Sequence, residues 1–374
     1  MSIPACDSGL PFSSAPQLPN TPFDYTVDLP AHFIEPGIPG STTQIAVIDH
    51  DNTPADNPIS DHGATLGRVL FYDRNLSQDL SSSCATCHRQ LHGFSDPAIR
   101  SIGFSGKETK RHSMGLTNAR FYKRGRAFWD EQARSLEEQV LIPVQDAFEL
   151  GTDLKVIEQR LATLEYYPAL FENAFGDDQI NSDRISKALA QFVRSLVSFE
   201  SKYDEGRAAV DRFTAAFPNF TDEENRGKEL FLKSNTEGGL ACVSCHATEA
   251  FVGVHTGPKN NGLDVVTLLD PGIGGIIGAD SLDGMFKPPS LRNVGVRSPY
   301  MHDGRFATLR EVVDHYSDGV EAHQNLSDEL KDESGQPLRF TLSETDKQAL
   351  VAFLHSLTDN KMLNDPKFSD PFRR

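Results

Sequence analysis

The sequence predicts a mainly α chain made of two tandem halves related by internal duplication, with long loops between the helices. Three observations predict it. Cys-x-x-Cys-His occurs twice, at Cys84/Cys87/His88 and at Cys242/Cys245/His246. Similar segments run into the two motifs, Gly67-Arg68-Val69-Leu70-Phe71 before the first and Gly227-Lys228-Glu229-Leu230-Phe231 before the second. Each half then closes on the same pattern. Ala188-Leu189, Phe192-Val193 and Ser195-Leu196 recur as Ala349-Leu350, Phe353-Leu354 and Ser356-Leu357, in register to within one residue of the first repeat,.

The closing segments carry apolar residues at i, i+3, i+4 and i+7, the spacing of a helix that buries one face. Ser343 followed by Asp346 is a capping start for the second of them,. Glu137 to Val144 has a helical pattern that Pro143 should end or kink,. Residues 253 to 289 are rich in Gly and Pro and read as a long loop, which in a compact domain is usually functional,. Residues 1 to about 40 carry Pro, Ser and Gly without a period and read as a tail or an extended wrapping segment,. This divides the chain into a tail (1–40), a first domain (41–210) and a second (211–374).

The chain has 374 residues, ample for two cores, and a formal net charge of −17,. That charge argues against nucleic acid and anionic membrane as partners. It suits docking of a basic redox protein, or simply a solubilising surface. No apolar run reaches the roughly eighteen residues of a membrane span. Of the five cysteines, four belong to the two motifs and Cys6 is odd, so a disulfide framework is not expected,. Cys6 follows Ile3-Pro4-Ala5, which resembles the end of a lipoprotein cleavage box. Either Cys6 is lipidated in the precursor, or it is a free thiol in the tail.

Cys-x-x-Cys-His supplies what haem c needs: two thiols spaced to meet both vinyl groups, and an imidazole directly after them to bind iron. Zinc would instead want paired motifs within one small domain. Two covalently bound haem c groups are therefore expected, with His88 and His246 on the irons. Helix, haem loop and terminal helix form the organisation of a cytochrome c-type domain, here written twice. Such haem is attached outside the cytoplasm, so a periplasmic location is expected, with an export signal already removed. Each iron keeps one axial position whose occupant separates electron transfer from activation of an oxidant.

Further motifs carry a family resemblance, covering roughly residues 55 to 360. They are Phe128-Trp129-Asp130, then Gln139, Pro143 and Glu149 between Ser135 and Gly151. Pro289-Ser290-Leu291-Arg292-Asn293 and Pro299-Tyr300-Met301-His302-Asp303-Gly304 follow. In this ordered set the chain resembles the bacterial di-haem cytochrome c peroxidases and their MauG relatives. The resemblance implies that hydrogen peroxide reacts at the His88 haem, with Gln139 and Glu149 in the distal pocket and Pro143 beside the open iron face. A carboxylate there can move a proton between the peroxide oxygens. The resemblance places Trp129 between the haems, as a relay or as core packing, and His302 at the second haem. Electrons would come from a small cytochrome or cupredoxin, or from Trp or Tyr residues of a partner protein in the MauG manner. A non-enzymatic di-haem electron carrier is the reading from another class.

Two departures from the peroxidase pattern matter. Many relatives cap the first iron with a histidine after a Ser-Ile-Gly-like stretch. Here Ser101-Ile102-Gly103 leads to Phe104, which cannot ligate; His112 is the nearby substitute, whereas His92, four residues after His88, falls on the wrong side. At the second haem, the position of the peroxidases' methionine is Tyr316, as in the MauG enzymes; Met301 and His315 are its rivals. The resemblance also implies a calcium ion between the haems. Its Asn ligand falls on His112, which a hard cation does not favour.

Overall fold

The computed structural model describes residues 15–35, 46–253, 257–267 and 269–372. Cys6 lies outside these residues. Among the described residues the fold is helical, with isolated β-bridges only. The helices that position the sites are α1 (Asp61–Tyr72), α2 (Leu136–Gln139), α3 (Ile142–Gln145), α4 (Ser182–Ser195), α5 (Asp222–Leu232), α6 (Leu309–Asp314) and α7 (Glu344–His355).

Two helix crossings organise the molecule, α1 on α4 and α5 on α7, and both are built on a glycine. A Cβ on Gly67 would fall 2.0 Å from the Ala188 carbonyl oxygen, and one on Gly227 would fall 1.9 Å from that of Ala349. Only glycine lets the backbones approach so closely. Phe192 and Phe353, one turn further on, are fully buried beside these contacts. The repeated Gly-x-x-Leu-Phe is therefore a helix-crossing signature, and Leu70 and Leu230 bury the adjacent face.

The correspondence continues into the loops. Asn118 and Asn293 both take left-handed backbone, and both seat the chain after the terminal helix. Asn118 accepts from the Ser198 amide at 2.8 Å, and Asn293 from the Asp359 amide at 2.7 Å. Bridges Ala127–Ala133 and Tyr300–Phe306 close two further equivalent loops, carrying Trp129 and His302 respectively.

Pro143 does not end a helix. It stands near the start of α3, where its missing N–H costs nothing, and the break falls before it, between Gln139 and Ile142,. Ser343 caps α7 as expected, its hydroxyl accepting from the Asp346 amide at 3.1 Å. Residues 257–267 and 269–289 are largely irregular, with short helical turns at Ile273–Ile277 and Asp280–Leu282. Residues 15–35 wrap the molecule: Tyr25 joins the first core, and Phe33 is fully buried against Phe121 and Phe199. The C-terminal segment also returns to the first half, where Met362 and Phe368 join the core around Phe71 and Phe192.

Candidate active site

Each Cys-x-x-Cys-His motif forms a short turn whose histidine is held by a backbone carbonyl. His88 donates from Nδ1 to the Phe94 carbonyl at 2.9 Å, and His246 from Nδ1 to the Pro289 carbonyl at 3.1 Å. A bond at Nδ1 fixes the ring and leaves Nε2 as the nitrogen that could ligate a metal. Burial lowers the basicity of both imidazoles, His246 to about 4, so each is neutral, the form a metal accepts. Cys84, Cys87, Cys242 and Cys245 form no disulfides.

The second motif opens onto a cavity of about 210 Å³ lined by Cys242, Cys245, His246, Met301 and Tyr316. Trp129 and His302 also line it. Leu350 and Leu354 of α7 contribute to an apolar wall suited to a porphyrin face. Tyr316 lies in a single turn of π-helix, His315–Gly319, that continues α6. Such turns often mark functional sites, because they re-aim one side chain. The Asn261 amide donates to the Tyr316 oxygen at 3.3 Å and lies 3.5 Å from the Met301 sulfur. Burial pushes the Tyr316 phenol well above its ordinary range. Of the rival ligands, Met301 therefore shares the cavity with Tyr316. His315 spends Nε2 on the Asn261 carbonyl at 2.9 Å and packs on Phe306.

At the first motif, Pro143 and Glu149 are drawn onto one turn by bonds from the Leu150 amide to the Pro143 carbonyl (3.1 Å) and from the Gly151 amide to the Asp146 carbonyl (2.9 Å). Burial, aided by the Asp146 charge, raises the Glu149 carboxyl to about 7. Glu149 is close enough to perturb both Cys84 and Cys87. Gln139 ends α2, half-buried, one turn before Pro143. The Phe104 amide donates to the Glu149 carbonyl at 2.9 Å, and its ring fills the space a Gly151 side chain would need. His92 lines a surface groove with Arg89 and Leu91.

Counting from the caps gives a correspondence that reading for the motifs alone had missed. Ser135 accepts from the Glu138 amide and Thr308 from the Glu311 amide, both at 3.2 Å. Eight residues after Ser135 stands Pro143; eight after Thr308 stands Tyr316. The shared Ser/Thr-Leu-x-Glu was the available signal.

Between the two sites the halves exchange equivalent bonds. The His112 amide donates to the His302 carbonyl, and the Lys287 amide to the Trp129 carbonyl, each at 2.8 Å. The Trp129 and His302 rings meet edge to face at 6.4 Å, and His302 stacks on Phe286 at 3.7 Å. The Trp129 indole donates to the His112 carbonyl at 2.9 Å. The His112 ring lies within hydrogen-bond reach of Ser95, Ala98 and Ile99. Among the described residues, no cluster of three or more His, Cys, Asp or Glu side chains gathers to hold a metal ion. No described helix is long and apolar enough to cross a membrane.

Comparison with known proteins agrees with this geometry. The model of the di-haem cytochrome c peroxidase family matches residues 61–211. The methylamine utilization protein MauG of Methylorubrum extorquens is 34% identical over 313 residues, 81% of this chain and 80% of that protein. The cytochrome-c peroxidase IdrP1 of a Pseudomonas species is 30% identical over 352 residues, 84% of this chain and 86% of that protein. Among solved structures, a MauG-like protein associated with microbial copper homeostasis superposes with a TM-score of 0.77 at 28% identity, covering 92% of this chain and 99% of that one. With two haem motifs on one repeated scaffold and relatives of this extent, the chain belongs to the di-haem cytochrome c peroxidase family, and is a peroxide-dependent haem oxidoreductase.

Proposed function

We propose that the two sites divide the work: the His88 site takes hydrogen peroxide, and the His246 site holds and passes on oxidising equivalents. Haem c, bound through Cys84 and Cys87 and through Cys242 and Cys245 with His88 and His246 on the irons, supplies the redox chemistry at both. At the first site, Pro143 and Phe104 offer no ligating atom, which leaves one face for peroxide. Glu149 carries the reading. Its carboxyl, poised near neutrality on the same turn as Pro143, takes a proton from one peroxide oxygen and returns it to the other,. Gln139, one turn before Pro143, is the second distal residue in this reading. The overall reaction consumes two electrons and two protons per peroxide and releases two waters.

At the second site Tyr316 is the proposed ligand. Burial holds the Tyr316 phenol protonated, and the Asn261 amide aimed at its oxygen works against that, so the phenolate would form on binding to iron,. An anionic oxygen ligand stabilises oxidised iron, whereas methionine favours the reduced form. Trp129 and His302, in ring contact between the sites, form the relay. A small redox protein is the electron donor in the peroxidase reading. Tyr316 favours a second reading, in which Trp or Tyr residues of a partner protein are oxidised as by a MauG enzyme. At the position of the calcium-binding Asn, the His112 ring lies on the Ala98 and Ile99 carbonyls and offers no oxygen to a hard cation,. We place the protein in the periplasm and divide it at residues 210 and 211.

The test is the resting ferric protein. Electron paramagnetic resonance should give one high-spin and one low-spin haem, and Phe104→His should convert the first to low spin. Two low-spin haems in the wild type would overturn the assignment.

A further inference from the structure

The turn that carries Glu149 also builds a surface that hydrogen peroxide does not need. The loop from Ser101 to Thr109 closes on itself through the Thr109 amide and Ser101 carbonyl (2.8 Å) and the Gly103 amide and Lys107 carbonyl (3.2 Å). It lies flat on the Glu149 turn: a Cβ on Gly103 would fall 1.7 Å from the Phe148 carbonyl oxygen. Ile102 on the loop and Phe148 on the turn are 58% and 41% exposed, and the half-buried Phe104 follows Ile102 at the point where its amide joins the loop to the Glu149 carbonyl. The Lys107 ammonium stands 5.2 Å over the Phe148 ring, a cation at the edge of the rim.

Three apolar side chains are too few for the core of a protein interface, which buries about 800 Å² per partner. They are enough for a short hydrocarbon chain, and they lie on the two segments joined at Glu149. We infer that this site also reduces organic hydroperoxides with an apolar tail, the tail lying across Ile102, Phe104 and Phe148. The inference rests on the reading of the Glu149 site as the peroxide site. In the reaction the O–O bond of ROOH breaks. The carbon-bearing oxygen receives its proton through Glu149 and leaves as the alcohol ROH. The other oxygen leaves as water, and two electrons and two protons are consumed. The electrons come from the same donor that serves hydrogen peroxide.

The test uses the haem-loaded protein and two readouts. The first is equilibrium binding of straight-chain alkyl isocyanides of increasing length to the reduced protein, followed by absorbance. A fully buried methylene is worth about fourfold in affinity, so a half-exposed rim should give about twofold per methylene. The second is the ratio of the rates with cumene hydroperoxide and with hydrogen peroxide. Ile102→Ser and Phe148→Ser should flatten the length dependence and lower that ratio several-fold. Affinity independent of chain length, or a ratio that neither substitution moves, would overturn the inference while leaving the peroxide site standing. If Glu149→Gln leaves the hydrogen peroxide rate unchanged, the assignment of the site itself fails.

Discussion

The two halves place a histidine in the same way and then part company eight residues after a shared cap. In the first half that position is Pro143, on a chain broken between α2 and α3. In the second it is Tyr316, on a helix continued by a π turn into the cavity. One scaffold, two glycine crossings and two carbonyl-held imidazoles are common to both. What differs is the residue at that position: a proline, which carries no donor atom, in one half, and a phenol lining the second cavity in the other. In the function proposed above, this one position per half sets what each haem does.

The largest effect that would sharpen this contrast is at Glu149. Glu149→Gln should retain both haems and slow the reaction with hydrogen peroxide by about 10²- to 10⁴-fold, the usual share of a positioned acid–base group. Stopped-flow mixing measures it. In the proposed role the carboxylate form accepts the proton, so the wild-type rate should rise with pH through about 7 and the variant's should not. The sign for stability is the reverse. The folded protein favours the protonated acid, so this group's contribution is complete below the ordinary carboxylate range, and fades as pH rises through about 7,.

The next effect tests the likeness of the halves. Gly67→Ala and Gly227→Ala each drive a methyl group into a backbone carbonyl, at 2.0 and 1.9 Å. Overpacking of this kind costs about 1–3 kcal/mol or more. Thermal unfolding should register similar losses for both. A loss in only one would mean that the two crossings are not energetically equivalent.

Tyr316→Met tests the difference. It should create a methionine-to-iron charge-transfer band in the near infrared and raise the potential of the second haem, with the first haem's signal unchanged. If the wild type already has that band, Met301 is the ligand and Tyr316 packs beside it.

Much of this was legible in the residues. The haem motifs, the repeated Gly-x-x-Leu-Phe and the closing helices declare themselves by spacing, because each needs fixed residues at fixed offsets. The Ser343 cap was equally local. The reciprocal bonds of His112 and Lys287 were not legible, since backbone amides leave no mark on residue type. Nor was the pairing of Pro143 with Tyr316, because the helix breaks in one half and widens into a π turn in the other, which hides the alignment,. At Pro143 the sequence predicts an end or a kink, whereas the residue stands near a helix start: the same fixed φ serves both, and only the hydrogen-bond pattern upstream decides,.

The smallest effect separates the halves at their terminal helices. Asn181 caps α4 by accepting from the Arg184 amide at 3.0 Å, and Ser343 caps α7 by accepting from the Asp346 amide at 3.1 Å. Replacing either by alanine removes one such bond, at a typical cost of about 1 kcal/mol. The consequences should differ, because burial starts sooner on α4. Ile185 and Ser186 are already buried there, whereas α7 first buries a side chain at Ala349. The start of α7 depends instead on polar ties: the Ser343 hydroxyl also donates to the Asp346 carboxylate at 3.0 Å, which Arg226 of α5 binds at 2.8 Å. Ser343→Ala should therefore fray the first turn of α7 and loosen its tie to α5, seen as faster amide exchange at Asp346 and Lys347. Asn181→Ala should lower overall stability by a similar amount with little local fraying at Ile185, whose packing holds the turn closed. Equal fraying at both ends would mean that the cap bond, and not the burial behind it, sets where these helices begin.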